Sequence, residues 1–269
     1  VNPSSSLKTV LSIAGLDPSG GAGITADLKT FHQSGVFGLS ALTAITVQNS
    51  FGVSSVTLID PLTLRNQLTS LLSDYEVDAV KIGQIGSREN LKVILETFTD
   101  FPIGNDKWIV WDPVLKSTSG KILLEVDAYA DFPHFIHSLH SLTNFVMTPN
   151  EEEFKIIKEQ LTKNHLNLKN YNWLVTGSTF SHDNSVMTKD TLMTPSQTNV
   201  EFLSPKIITQ NHHGTGCMLS AQLSSNLAQK IPLPESCQLA KNFVSKALKL
   251  GQNIKMGRGG YGPMNFWVP

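Results

Sequence analysis

The sequence predicts one α/β domain whose central sheet is largely parallel and covered by helices on both faces. Three observations carry that reading. Short β-branched runs alternate with stretches of helical spacing along most of the 269 residues, the rhythm of repeated β-α units. One stretch, residues 185–203, breaks the rhythm, and it reads as a hairpin. Beyond the first six residues no repeat, low-complexity tract or Pro/Ser-rich linker divides the chain. Residues 8–269 are therefore expected to form a single domain. Residues 1–7, which lack a starting Met, are expected to be disordered or added by cloning.

In chain order, Val10–Ala14 reads as a buried strand ending in a Gly-rich turn; Ile24, Leu28 and Phe31 then recur at helical spacing and Gly35 supplies the stop. Ala41–Val47 is the next strand. Asp60-Pro61 pairs an N-cap with a proline at the first turn, and Leu64, Leu68, Leu71 and Leu72 form the stripe to be buried. Strand Val77–Ile82, a helix capped by Ser87 and strand Trp108–Trp111 follow. Phe145–Met147 is a strand leading into the acidic helix start Asn150-Glu151-Glu152-Glu153, and Trp173–Val175 is another. The hairpin pairs Val186–Leu192 with Val200–Leu203 around Thr194-Pro195-Ser196. Two long helices, roughly 216–229 and 235–254, close the chain. In such sheets ligands sit outside the carboxyl ends of the strands. The loops to search are thus 15–23, 48–52, 83–87, 112–121, 148–153, 176–184 and 210–217.

Composition narrows the partners. The 21 basic and 22 acidic residues give a formal charge of −1, with charged residues at 16%, so no strong field is available to gather nucleic acid or anionic membrane. The apolar runs are too short for a membrane span and the N-terminus is no signal peptide. Two cysteines, Cys217 and Cys237, make no disulfide framework, which fits a reducing, cytoplasmic setting.

Four loops could carry chemistry. Gly15-Leu16-Asp17-Pro18-Ser19-Gly20-Gly21-Ala22-Gly23 lies between a strand and a helix, where glycines let backbone N–H groups approach a ligand. No Lys follows, so it is not a Walker loop. Gly21–Ala26 matches a dinucleotide fingerprint, but the acid expected about twenty residues later is missing. A tight turn with no ligand is the plain alternative. Asn211-His212-His213-Gly214-Thr215-Gly216-Cys217 opens a helix; its small residues can form an anion-binding nest, and a thiol there is expected to have a depressed pKa. Cys237, at helical spacing with Ala240, Val244 and Ala247, reads as core. Asp112, just past a strand with Lys116 and Lys121 beyond it, is placed for Mg²⁺, a polar substrate group or simply a turn. Asn150 and Glu153 have the spacing of a capping box, which does not exclude ligand binding. His134, His137 and His140 lack ligand companions and read as the solvated side of an amphipathic helix. The run Glu151–Glu153 with Lys155 and Lys158 reads as a solvated face too.

Taken together, the chain resembles the hydroxymethylpyrimidine/phosphomethylpyrimidine kinases of thiamine biosynthesis, within the ribokinase-like superfamily. The likeness rests on Ser12–Ile24, Ala26–Phe31, Thr43–Asn49, Val80–Gly83, Asp112–Val114, Thr148–Asn150 and His213–Cys217, blocks that stand in family order across essentially the whole chain. It implies a three-layer α/β/α sandwich with a small mobile flap after Val114, and ATP- and Mg²⁺-dependent phosphorylation of a pyrimidine hydroxymethyl group, often followed by a second transfer onto that phosphate. Such a reaction needs a positioned alcohol, a base, a site for developing charge and a metal. The resemblance makes Cys217 the catalytic cysteine, where many ribokinase-like relatives carry Asp, and Gly214, Thr215 and Gly216 an anion hole. It makes Gln48 the pyrimidine reader, with Gly15, Asp17, Ala22, Gly23, Asp27, Gln84 and Val114 around the ring. It assigns Lys116, Asn150, Thr176 and Ser178 to the nucleotide and Asp112 and Glu153 to Mg²⁺. A homodimer is implied as well.

Two departures stand out. Thr176-Gly177-Ser178 replaces the family's Lys-Gly-Gly, which moves the cation's work to Lys116 or Lys121; and Gln84 stands where a Met usually faces the pyrimidine. The alternatives are a pyridoxal kinase on the same scaffold and a catalytically weakened pyrimidine- or vitamin-binding regulator. The pyridoxal-specific type carries a second Cys in the flap, and Leu115–Ser119 has none.

Overall fold

The computed structural model describes residues 7–183, 185–195 and 199–269; residues 1–6 of the expected N-terminal tail (1–7) and Ser196 of the hairpin turn lie outside them. Nine strands form one sheet: β1 (Thr9–Leu16), β2 (Phe37–Asn49), β3 (Gly52–Leu58), β4 (Ala79–Ile82), β5 (Trp108–Trp111), β6 (Asn144–Met147), β7 (Asn172–His182), β8 (Ser185–Met193) and β9 (Val200–Pro205). Their order is β3-β2-β1-β4-β5-β6-β7-β8-β9. The six from β2 to β7 are parallel, whereas β3, β8 and β9 add antiparallel edges.

The helices are α1 (Gly23–Gln33), α2 (Pro61–Leu72), α3 (Arg88–Asp100), α4 (Phe132–Leu142), α5 (Glu151–Lys163), α6 (Thr215–Ala228) and α7 (Leu233–Gly251). Successive strand residues point to opposite faces, and the cores divide accordingly. Leu11, Val80, Ile109 and Phe145 pack with Leu64, Ile94, Ile136 and Ile157 of α2 to α5. Val110, Val146 and Leu174 pack with Met218, Leu223, Cys237 and Val244 of α6 and α7, and Val10 and Ala79 with Phe31 and Ala221 of α1 and α6. The result is the expected α/β/α sandwich. Asp60 and Ser87 cap α2 and α3 as their positions suggested, Cys237 is core, and the three histidines face out of α4. Of the α2 stripe only Leu64 and Leu68 are fully buried.

Strand parity also aims polar groups. Ser12, Lys81 and Val110 are register partners across β1, β4 and β5, on the side covered by α1 and α6. Asp112, two residues after Val110, has the same parity. A polar row therefore runs under the first turn of α6.

Candidate active site

A cavity of about 740 Å³ opens at the carboxyl ends of β1, β4, β5, β6 and β7, and each of the seven loops singled out from the sequence contributes at least one residue to its wall. It brings together Gly15, Asp17, Ala22, Gly23, Gln48, Gln84, Val114, Lys116, Asn150, Thr176, Asp112, Glu153, Gly214, Thr215, Gly216 and Cys217.

Two expected residues fall outside it. Asp27, the fifth residue of α1, faces the sheet with no exposure and is ion-paired with Lys81 at 2.9 Å and bonded to the Ser12 hydroxyl at 2.6 Å; helix phase puts it behind the wall, not beside a ring. Ser178 turns away to donate to Glu151, because β7 bulges between Val175 and Ser178 and Gly177 (φ +82°) takes the lining position. Lys116 lines the cavity and donates to Glu152, while Lys121 does not line it.

The Gly-rich loop is organised by Asp17. Its Oδ1 accepts from the Ser19 N–H and hydroxyl (2.8 and 2.7 Å), and its Oδ2 accepts from the Ala22 N–H (2.8 Å). Burial raises its pKa, yet bonds from His213 and Ser19 carry it below the ordinary carboxyl value. His213 Nε2 lies 2.8 Å from Asp17 Oδ2 and 2.9 Å from Gln48 Nε2. One ring nitrogen serves one of these at a time: as a donor it serves Asp17, and as an acceptor it takes a hydrogen bond from the Gln48 amide.

Gly214 starts α6 with φ +86°, and a Cβ there would lie 1.9 Å from the Gly21 carbonyl oxygen. Only glycine permits this approach, which presses the two Gly-rich loops together and sets the N-terminus of α6 in the cavity wall. Such a terminus attracts anions. Below it stand Lys81, fully buried, and Asp112, to which Ser220 donates at 3.2 Å. Asp27 holds the Lys81 ammonium charged despite burial, well above its ordinary value.

The thiol differs from expectation. Burial pushes Cys217 up to about 12; Lys81 opposes the rise, but Asp27 and Asp112 reinforce it. It is a thiol at neutral pH, not the thiolate that a helix N-terminus alone would favour.

Asn150 and Glu153 form the capping box: Asn150 Oδ1 accepts from Glu153 N at 2.9 Å and Glu153 Oε2 from Asn150 N at 3.0 Å. Glu153 is therefore buried, not part of the solvated face that its neighbours Glu151 and Glu152 occupy. Burial, and then the charge of Asp112, push Glu153 up to about 8; burial likewise pushes Asp112 up to about 6. Two carboxyls without enough cation nearby fit a Mg²⁺ site that is completed by water and phosphate oxygens. Among the described residues no group of three or more His, Cys, Asp or Glu forms a closed metal cage, as that kind of site requires none.

Sequence reasoning gave His213 and Lys81 no role. A His beside the Gly-Thr-Gly turn and a lone Lys inside the apolar strand Ala79-Val80-Lys81-Ile82 were the available signals, since a buried charge needs a partner.

Comparison with known proteins agrees with this geometry. The family model described as phosphomethylpyrimidine kinase matches residues 17–265. A hydroxymethylpyrimidine/phosphomethylpyrimidine kinase of Haemophilus influenzae is 33% identical, over 98% of both chains. Among solved structures, an ADP complex of Bacillus subtilis pyridoxal kinase superposes with TM-score 0.79 at 28% identity, over 98% of each chain. A phosphomethylpyrimidine kinase from Clostridium difficile does so with TM-score 0.69 at 29% identity, over 90% of this chain and 99% of the other.

Proposed function

The chain belongs to the phosphomethylpyrimidine kinase family, and from that premise we propose that it phosphorylates the hydroxymethyl group of 4-amino-5-hydroxymethyl-2-methylpyrimidine with ATP, and then its monophosphate, in thiamine biosynthesis. The observation that carries this is the convergence, in one cavity, of an amide that can read a ring (Gln48), the N-terminus of α6 and the Asp112–Glu153 pair.

The ring lies over Gly15 and Ala22 with Val114 across it, and Gln48 offers its amide to a ring nitrogen and the amino group. Gly214, Thr215 and Gly216 direct N–H groups at the transferring phosphoryl, where negative charge builds up. Cys217, one residue further, holds the alcohol and takes its proton once its own has left. Lys116, Asn150 and Thr176 border the nucleotide, and Lys116, an accessible lysine on the cavity wall, supplies the positive charge that Thr176 does not. Asp112 and Glu153 would hold Mg²⁺, which neutralises phosphate charge. Residues 115–124 form the flap: Lys116 bridges to Ile122, and closing it over the site keeps water from the nucleotide.

A homodimer is supported by the apolar side chains left exposed on β2 and near β3, Phe37, Ile45, Val47, Phe51 and Leu58. The two free cysteines are in keeping with a cytoplasmic setting, and no helix among the described residues is long and apolar enough to cross a membrane.

ADP release measured with the pyrimidine, its monophosphate and pyridoxal tests the reading. Turnover of the pyrimidine is expected to exceed that of pyridoxal. The reverse order would favour the second reading, a pyridoxal kinase, which the likeness to the Bacillus subtilis enzyme motivates.

A further inference from the structure

Gln84 is 7% exposed and lines the cavity, yet its Nε2 is buried with no hydrogen-bond partner among the described residues. Its backbone, by contrast, is firmly held. The Thr43 hydroxyl donates to the Gln84 carbonyl at 2.6 Å, Gly83 N donates to the Ile13 carbonyl at 2.8 Å, and Asn90 Nδ2 to the Ile85 carbonyl at 3.0 Å. A fixed backbone carrying an ungripped amide is an unusual use of a buried polar group, because an amide denied both water and partner costs stability.

The place of this amide shows which group it can meet. Gly83 continues the pairing of β4 with β1, so Gln84 follows beside Gly15, and a Cβ on Gly15 would lie 2.2 Å from Gln84 Oε1. Glycine at 15 is what lets the amide lie along the end of β1. Gln48 stands on β2, the other neighbour of β1. A flat ring resting over Gly15 therefore meets an amide on each of two sides. In the structure Oε1 is the amide atom beside Gly15; a half-turn about the terminal Gln84 bond, which is softly restrained, exchanges the two atoms and presents the N–H₂ donor to that ring.

We propose that Gln84 is a specificity residue that donates to a second ring acceptor, so that this pocket selects diazine rings, with ring nitrogens on two edges, over pyridine rings with one. This rests on the pyrimidine kinase reading and deepens it. A ring that presents C–H to Gln84 leaves the amide unpaired, the situation in which sites built to hydrogen-bond a ligand reject analogues that lack the group.

Calorimetric titration of the full chain with 4-amino-5-hydroxymethyl-2-methylpyrimidine, and with analogues in which each ring nitrogen in turn is replaced by C–H, tests this, with ADP release measured in parallel. Replacing the nitrogen that Gln48 does not read is expected to weaken binding roughly tenfold. Gln84→Met should weaken the diazine by a similar factor and leave that analogue unchanged; Gln84→Leu, which also lacks any polar atom, should behave like Gln84→Met. Equal binding of all rings by the unmutated protein overturns the proposal, even if both variants misfold. So does equal weakening of every ring by Gln84→Met, which marks a purely structural role. Ring selectivity without ADP release keeps the proposal and removes the kinase reading. ADP release without selectivity does the opposite, and binding of none of the rings removes both.

Discussion

A helix N-terminus favours a neighbouring anion by about 0.3–1 kcal/mol, whereas forming a thiolate at this half-buried position beside Asp27 and Asp112 costs several times that; hence Cys217 rises to about 12. Because kcat/KM reports the free protein, its value is expected to keep climbing above neutral pH with the thiolate fraction and to reach no plateau by pH 9. A plateau near pH 7 in a pH–rate series would contradict this thiol as proton acceptor. Glu153 gives a second residue-scale test. Its value in the fold, about 8, lies above the ordinary 4.5, so the neutral form is favoured. Its contribution to stability is fully present below about pH 4.5 and is lost as pH rises through about 8. Glu153→Gln keeps the capping-box chemistry and removes the charge. The ligand-free variant is expected to melt several degrees higher than the parent at pH 8 and nearly level with it at pH 4.5, by calorimetry, while losing at least about tenfold in turnover. A lower melting temperature at pH 8 would show that the carboxylate is compensated.

At the scale of elements, the two Gly-rich loops act as one device, Gly21 against Gly214 and Asp17 against His213. Gly214→Ala adds a Cβ at a left-handed position where the Gly21 carbonyl already stands, and is expected to lower Tm by roughly 5–10 °C and abolish turnover. A variant of unchanged stability would mean that the loops can part freely. How much of this was legible depends on the element. Strong local signals, such as Asp60-Pro61, Ser87 and the Asn150–Glu153 box, marked helix starts correctly because capping is a local interaction. β3 escaped because Gly52–Leu58 is a half-exposed edge strand whose Ser54, Ser55 and Thr57 hide its periodicity. β2 and β7 run well past Ala41–Val47 and Trp173–Val175, their ends being set by partners β1 and β3 for β2 and β8 for β7, which no local pattern encodes.

For the whole molecule, a largely parallel sheet covered on both faces was readable from the alternation of elements, and with it the end of the sheet that carries the site, but the strand order was not. The cavity wall was readable as loops. The partnerships inside it were not. Lys81 with Asp27, and His213 between Asp17 and Gln48, join residues far apart in the chain and depend on strand register and on the seating of α6. The exposed apolar side chains of β2 carry a further expectation, that light scattering gives twice the chain mass and that Val47→Asp gives the single mass; a monomeric parent would contradict it. The claim on which everything else depends is transfer of phosphate at the α6 N-terminus. Its most direct measurement is ADP release by the parent and by Cys217→Ala in the presence of 4-amino-5-hydroxymethyl-2-methylpyrimidine, with binding of the pyrimidine followed by calorimetry. The account predicts turnover in the parent, and in the variant its loss with binding retained. A parent that binds the pyrimidine yet releases no ADP above background, or a Cys217→Ala protein as active as the parent, would contradict it.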